Sequence, residues 1–379
     1  MPDDADPPES DAPAGIGGDG AVDPDRDGSA DPGGDDSVPL DDGAADPTAA
    51  RAGDPGADGP LATTRRLAVA AVWNADRRRL RAPWRLALAA VVFVVATLLV
   101  GTGLLAAGVG RPASATAGQF VGTAIAATAT VAVVAVSAVL LDRRRLRDYG
   151  LGLDRDWAID CAFGLGLGVA LVSAVAGVMA AAGWLTVRGT FVSTGGAFAP
   201  TLGSLLALFV LVGVYEELLA RGYLLTNVAE GLAPLGDRAA VALATLLSSG
   251  LFGAAHASNP GATAVSTATV SLAGVVLALG YLLTDELAVP IGFHVAWNAS
   301  LGVVYGLPVS GLRPAATLLE TGVDGPTVWT GGSFGPEAGL LGVAALLVGI
   351  AAIVAWVRWR YGAVGLDPGV VEPELRWQE

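Results

Sequence analysis

The chain has no lysine, one cysteine (Cys161), two histidines (His256 and His294) and only 15% charged residues over its 379 positions. Each shortage excludes something. A single thiol cannot build an intramolecular disulfide framework or a multi-cysteine metal site. Two imidazoles leave few candidates for metal binding or acid–base work. Ordinary soluble domains carry about 25% charged residues, so the low fraction argues against a soluble enzyme of two or three domains. What is present instead is apolar: 53% of residues are hydrophobic and the mean hydropathy is +0.57.

Charge is unevenly placed. Residues 1–60 hold 17 Asp and Glu against Arg26 and Arg51, a net −15, whereas residues 61–379 hold 19 acids against 20 Arg, a net +1. The overall −14 therefore belongs to a tail. Residues 1–60 are mostly Asp, Gly, Ala and Pro, which bury too little apolar surface to offset chain entropy, so a disordered acidic tail is expected there. Its start, Met1-Pro2-Asp3-Asp4, is acidic and no apolar core follows, unlike a signal peptide. Such a tail serves as a solvating segment or as an acidic docking arm. The Asp-rich, Lys-free composition suits a high-salt cytoplasm. Residues 61–85 mix apolar residues with Arg65, Arg66, Arg77, Arg78, Arg79, Arg81 and Arg85. That pattern predicts a basic amphipathic helix lying on an anionic membrane surface.

A bilayer core takes about 20 apolar residues per helix. Candidate spans are 86–109, 118–141, 158–183, 203–225, 239–256, 264–284, 288–306 and 338–357. The expected fold is therefore all-α: a polytopic membrane protein of about eight transmembrane helices over 86–357, with a cytoplasmic C-terminal tail over 358–379. Basic clusters precede the first span (Arg77 to Arg85), follow the second (Arg143, Arg144, Arg145, Arg147) and follow the last (Arg358, Arg360). The positive-inside rule puts all three in the cytoplasm, with both termini inside and the longest loop, 307–337, facing outward. A plasma-membrane location is expected, with the lipid bilayer as partner and no nucleic acid.

Charge inside a span costs roughly 2.5–3.5 kcal/mol even on the lenient insertion scale, so it points to function by default. The fourth span contains Tyr215-Glu216-Glu217-Leu-Leu-Ala-Arg221. Neighbouring helical residues point about 100° apart, so the two Glu face different ways. Glu217 and Arg221 are four apart in the favourable order and are expected to form a structural pair. Glu216 has no such partner in its own helix. The fifth span ends in Phe252-Gly-Ala-Ala-His256, and the seventh contains His294-Val-Ala-Trp297-Asn298, with His294 and Asn298 on one face. Glu216 can then act as general base on a water held by His256. His294 and Asn298 can donate to the oxyanion of a tetrahedral intermediate. The other chemistry open to Glu216, His256 and His294 is to hold Zn²⁺, although no H-E-x-x-H motif supports it. Counting along straight helices places His256 near the outer end of its span and Glu216 and His294 nearer the inner half. Convergence requires a tilted or broken helix around a water-filled cavity.

Other polar and small residues read as structure. Cys161 is ordinary packing. Gly164, Gly166 and Gly168 suit close helix contact. Asp285 and Glu286 suit a solvated turn, and Asn227 and Asn259 suit turns.

In these residues the sequence resembles the CPBP family of intramembrane proteases (CAAX protease and bacteriocin processing, or Abi). The family's motifs E-E-x-x-x-R, F-x-x-x-H and H-x-x-x-[ND] match Glu216-Glu217-Leu-Leu-Ala-Arg221, Phe252-Gly-Ala-Ala-His256 and His294-Val-Ala-Trp-Asn298 in order, within a motif-bearing core of 200–306. The resemblance implies an endopeptidase in which Glu216 and His256 activate water and His294 and Asn298 stabilise the oxyanion. Glu217 and Arg221 would support the site, and the substrate would be a membrane-anchored protein or peptide, CAAX-like or other. The family is described both as metalloproteases and as metal-free glutamate enzymes, so either zinc or no cofactor is implied. Two readings from other classes compete. One is a proton- or cation-coupled transporter with Glu216 and the histidines as a relay. The other is a non-catalytic scaffold, for which the Glu, His, His and Asn set would have no use.

Overall fold

The computed structural model describes residues 60–106, 115–366, 368–372 and 375; apart from Pro60, the expected acidic tail lies outside them. By its contacts the chain separates into residues 1–57 and 58–379, and the described elements all belong to the second unit. In chain order they are α1 (Pro60–Val72), β1 (Trp73–Asn74), β2 (Arg79–Leu80), α2 (Ala82–Ala106), α3 (Ala115–Ser137), α4 (Arg155–Ala181), β3 (Leu185–Ser193) and α5 (Phe198–Glu217). They continue with α6 (Thr226–Leu232), α7 (Asp237–Ala255), α8 (Ala264–Thr284), α9 (Ala288–Ala299), β4 (Ala316–Val323), α10 (Thr327–Thr330) and α11 (Leu340–Tyr361).

Among the described residues seven helices are long and apolar enough to cross a membrane, and Ala288–Val304 forms a shorter eighth. The all-α, multi-pass architecture read from the sequence is thus present. Its helices differ in surroundings. On α2 the side chains of Val91, Val94, Leu98 and Leu99 are exposed, as a helix bathed in hydrocarbon requires. By contrast, α9 buries nearly every side chain from Ala288 to Asn298, the pattern of a helix enclosed by others. Its tightest neighbour is α4. A Cβ on Gly168 would lie 2.8 Å from the Phe293 carbonyl oxygen, and one on Gly292 would strike the Cys161 backbone, so glycine on both helices sets how closely they approach. Of the three glycines expected to pack closely, Gly166 meets nothing.

The segment 61–85 departs from expectation. It is not one surface helix: α1 stops at Val72, a β1–β2 turn follows, and α2 begins at Ala82. Arg79 and Arg85 point inward, because buried acids await them. Glu230 on α6 takes Arg79 Nη2 at 2.5 Å, Arg85 Nη2 at 2.9 Å and Arg144 Nη2 at 3.1 Å, while Asp142 pairs with Arg85 and accepts from Tyr149 Oη at 2.7 Å. Burial lowers the Arg79 pKa to about 10, and burial next to Asp142 pushes the Tyr149 phenol well above its ordinary value. This cluster clamps α2, the end of α3 and α6 together at the arginine-rich end of the bundle.

At the opposite end lies a sheet the sequence did not suggest. β3 and β4 pair antiparallel, from Leu185 opposite Val323 to Ser193 opposite Ala316, so the long 307–337 loop is partly a strand. Three smaller expectations also change. Asn227 is no turn residue but sits buried in α6, donating to the Tyr223 carbonyl at 3.0 Å. Glu286 is only partly solvated and accepts from the Gly152 N–H at 3.1 Å. The C-terminal tail expected from 358 begins after Tyr361, and Arg360 on α11 pairs with Asp156 at 2.6 Å and Asp160 at 3.1 Å on α4.

Candidate active site

The site begins where α5 changes pitch. After Glu217 the helix continues as π-helical turns, Leu218–Leu225, and α9 does the same after Ala299, over Ser300–Val304. Wider turns of this kind recur at functional sites because they re-aim side chains within an otherwise apolar helix. Glu216 and Glu217, successive residues at the end of α5, point to different places. Glu217 is fully buried and forms a 2.8 Å ion pair with Arg221, also fully buried. Arg221 Nη2 donates to the Gly274 carbonyl at 3.0 Å, and its guanidinium lies 4.4 Å from the Phe252 ring centre.

The expected Glu217–Arg221 pair is present, and it does more than brace a helix. His294 Nδ1 lies 2.8 Å from Glu217 Oε1. A carboxylate there accepts an N–H, so Nδ1 carries the proton and Nε2 points away from Glu217. His294 Nε2 lies 3.9 Å from Glu216 Oε2. In a neutral ring that nitrogen is an acceptor; in the imidazolium it is a donor. Glu216 takes a hydrogen bond from the Tyr215 hydroxyl at 3.0 Å on Oε1, while Oε2 accepts no hydrogen bond from the protein.

His256 caps the C-terminus of α7, with Nδ1 2.8 Å from the Phe252 carbonyl oxygen. A carbonyl only accepts, so this ring also carries its proton on Nδ1 and presents Nε2 as acceptor. The Phe252 ring sits between the two imidazoles, 4.9 Å from His256 and 6.0 Å from His294 between ring centres. Glu216, His256, His294 and Asn298 all line one cavity of about 370 Å³, whose apolar walls include Leu205 and Phe209 on α5 and Leu277 on α8. Val309, Ser310, Leu312, Arg313 and Pro314 also line the cavity.

The cavity also holds residues that carry no signal in the sequence. Glu337, in the turn before α11, accepts from Trp297 Nε1 at 3.3 Å and from the Ser310 N–H. Burial pushes its carboxyl above the usual carboxylate range, and the Ser310 N–H opposes that shift. An acid within Gly335-Pro336-Glu337 reads as solvated loop, and no helical spacing connects it with Trp297. Asn259, expected to be a turn residue, does lie in a turn, but it also lines the cavity and donates to the Ser310 carbonyl at 3.0 Å.

Zinc would need a tighter donor set. Among the described residues no three His, Cys, Asp or Glu side chains converge closely enough to hold a metal ion. Glu216, His256 and His294 share a cavity without forming a tripod, so they do not fit a tetrahedral zinc site.

Residues 198–300 match the family model for Rce1-like type II CAAX prenyl endopeptidases. The match runs from the start of α5 to the residue after α9 and takes in Glu216, Glu217, Arg221, His256, His294 and Asn298. It agrees with the resemblance to the CPBP family seen in the motifs. No curated protein and no solved structure matches the chain. Seven long apolar helices are those of a multi-pass membrane protein, and residues 198–300 within it are similar to a CAAX-type endopeptidase domain.

Proposed function

We propose that this chain hydrolyses a peptide bond of a membrane-anchored protein or peptide, with Glu216 as general base and water as nucleophile. The observation that carries the reading is the meeting of Glu216, His256, His294 and Asn298 in one cavity, with His294 held by the buried Glu217. Glu216, whose Oε2 accepts no hydrogen bond from the protein, takes a proton from the water, and His256 Nε2 orients that water by accepting its second hydrogen. The water oxygen bonds to the carbonyl carbon. His294 Nε2–H, in the imidazolium form, and the Asn298 amide donate to the oxyanion. Collapse of the intermediate breaks the C–N bond, and Glu216 returns its proton to the departing amine. Glu217 and Arg221 position His294, and Tyr215 positions Glu216. The family match favours this reading over the transporter alternative.

Two experiments test it. Alanine at His256, His294 or Asn298 is expected to lower cleavage of a membrane-anchored test peptide by about a hundredfold or more, the scale of losing one preorganised donor or base. Cleavage at the wild-type rate by any of the three folded variants removes that residue from the mechanism. Metal content of the purified protein and cleavage in chelator separate the two chemistries. The donor geometry predicts activity that survives chelation without stoichiometric metal, whereas loss on chelation with recovery on adding Zn²⁺ contradicts it.

A further inference from the structure

Three turns meet at the catalytic cavity: 256–263 after α7, 305–315 before β4, and 331–339 before α11. They are bonded to one another. Asn259 Nδ2 donates to the Ser310 carbonyl at 3.0 Å, and the Gly311 N–H donates to the Phe334 carbonyl at 2.8 Å. A Cβ on Gly311 would strike the Pro260 carbonyl oxygen, so the first two turns lie in direct contact. Glu337 joins the third turn to both the second turn and α9. Its Oε2 accepts from the Ser310 N–H and its Oε1 accepts from Trp297 Nε1 at 3.3 Å.

Ser310 is the residue this arrangement constrains most. Its φ of 47° lies in the left-handed region, which is costly for any residue but glycine. Such a conformation persists where its surroundings over-determine it. Here Glu337 holds the N–H of Ser310 and Asn259 holds its carbonyl, one from each neighbouring turn.

The contacts of Glu337 lead to both sides of the chemistry. Through Ser310 they reach Asn259, whose own N–H donates to the His256 carbonyl at 3.1 Å. Through Trp297 they reach the chain neighbour Asn298. Each oxygen of Glu337 already accepts an N–H, so the residue acts through its partners. A carboxylate serves two N–H donors at once, whereas an amide turns a donor of its own toward one of them.

Resting on the proposed hydrolysis, we infer that Glu337 is a positioning residue that latches the 305–315 turn to α9 and so holds His256 and Asn298 in register across the cavity.

The test is steady-state cleavage of a membrane-anchored peptide by the full chain in vesicles. Glu337→Ala is expected to lower kcat by roughly tenfold to a hundredfold with KM little changed, the scale of a small misplacement of catalytic groups. Glu337→Gln should keep part of the rate, because it still accepts from one donor. In a Trp297→Phe background the amide meets no second donor, so Glu337→Gln should cost little further. A second readout needs no turnover. Hydrogen exchange over 306–314 should speed up in Glu337→Ala while α7, α9 and α11 keep their wild-type protection.

Wild-type kcat in Glu337→Ala overturns the inference and leaves the hydrolysis standing. A raised KM at unchanged kcat assigns Glu337 to substrate binding and overturns it as well. If Glu337→Ala loosens the helices along with the turn, Glu337→Gln decides: an equal cost with and without Trp297→Phe overturns the latch. Absence of cleavage by the wild type overturns the hydrolysis, while local loosening of 306–314 in Glu337→Ala would still leave the latch standing.

Discussion

Replacing Glu216 by Gln is expected to lower kcat for a membrane-anchored peptide by about a hundred- to ten-thousand-fold, the contribution of a positioned general base. The substitution keeps the shape of the side chain and its hydrogen bond from Tyr215, 3.0 Å away, so KM should move little. What it removes is the basic Oε2, which accepts no hydrogen bond from the protein and faces His294 Nε2 at 3.9 Å. Steady-state kinetics on the reconstituted variant check this, with a thermal melt to establish that the fold persists. A rise in KM with kcat retained would assign Glu216 to binding and not to proton transfer.

The largest effect on stability is expected at Arg221. Alanine there leaves Glu217 buried without its cationic partner, and breaking a buried pair from one side costs about 3–5 kcal/mol. The Phe252 ring loses the guanidinium stacked 4.4 Å above it, and the Gly274 carbonyl loses a donor. Because Glu217 also holds Nδ1 of His294, catalysis should fall together with stability. Chemical or thermal unfolding in detergent measures the first effect. Pairing Arg221→Met with Glu217→Gln, which removes both charges, should restore much of the stability while leaving activity low. Recovery of both together would contradict a positioning role for Glu217.

Much of this arrangement is legible in the chain, because the bilayer makes the relevant signals strong. Polar side chains in apolar runs are scarce, so Glu216, His256, His294 and Asn298 stand out, and the 3.6-residue period is enough to pair Glu217 with Arg221. Seven long spans and a shorter eighth follow from the hydrophobic stretches alone. The rest depends on contacts distant in sequence. Arg79 and Arg85 look like surface charges until Glu230, some 150 residues later, is known to lie beside them. The β3–β4 pairing joins segments separated by five helices and has no hairpin signal between them. Glu337 reaches the site through a glycine-rich turn with no periodicity. The link from Glu217 to His294 is hidden for the same reason, since helical spacing reports on a residue's own helix and not on the helix it faces.

The most direct measurement of the central claim is hydrolysis by the purified full chain in lipid vesicles, using a membrane-anchored peptide in H₂¹⁸O with product masses as the readout. The account predicts two fragments from cleavage at one bond, with one ¹⁸O in the new carboxyl group, and no fragments from the Glu216→Gln variant under the same conditions. Fragments formed by that variant at the wild-type rate would contradict it.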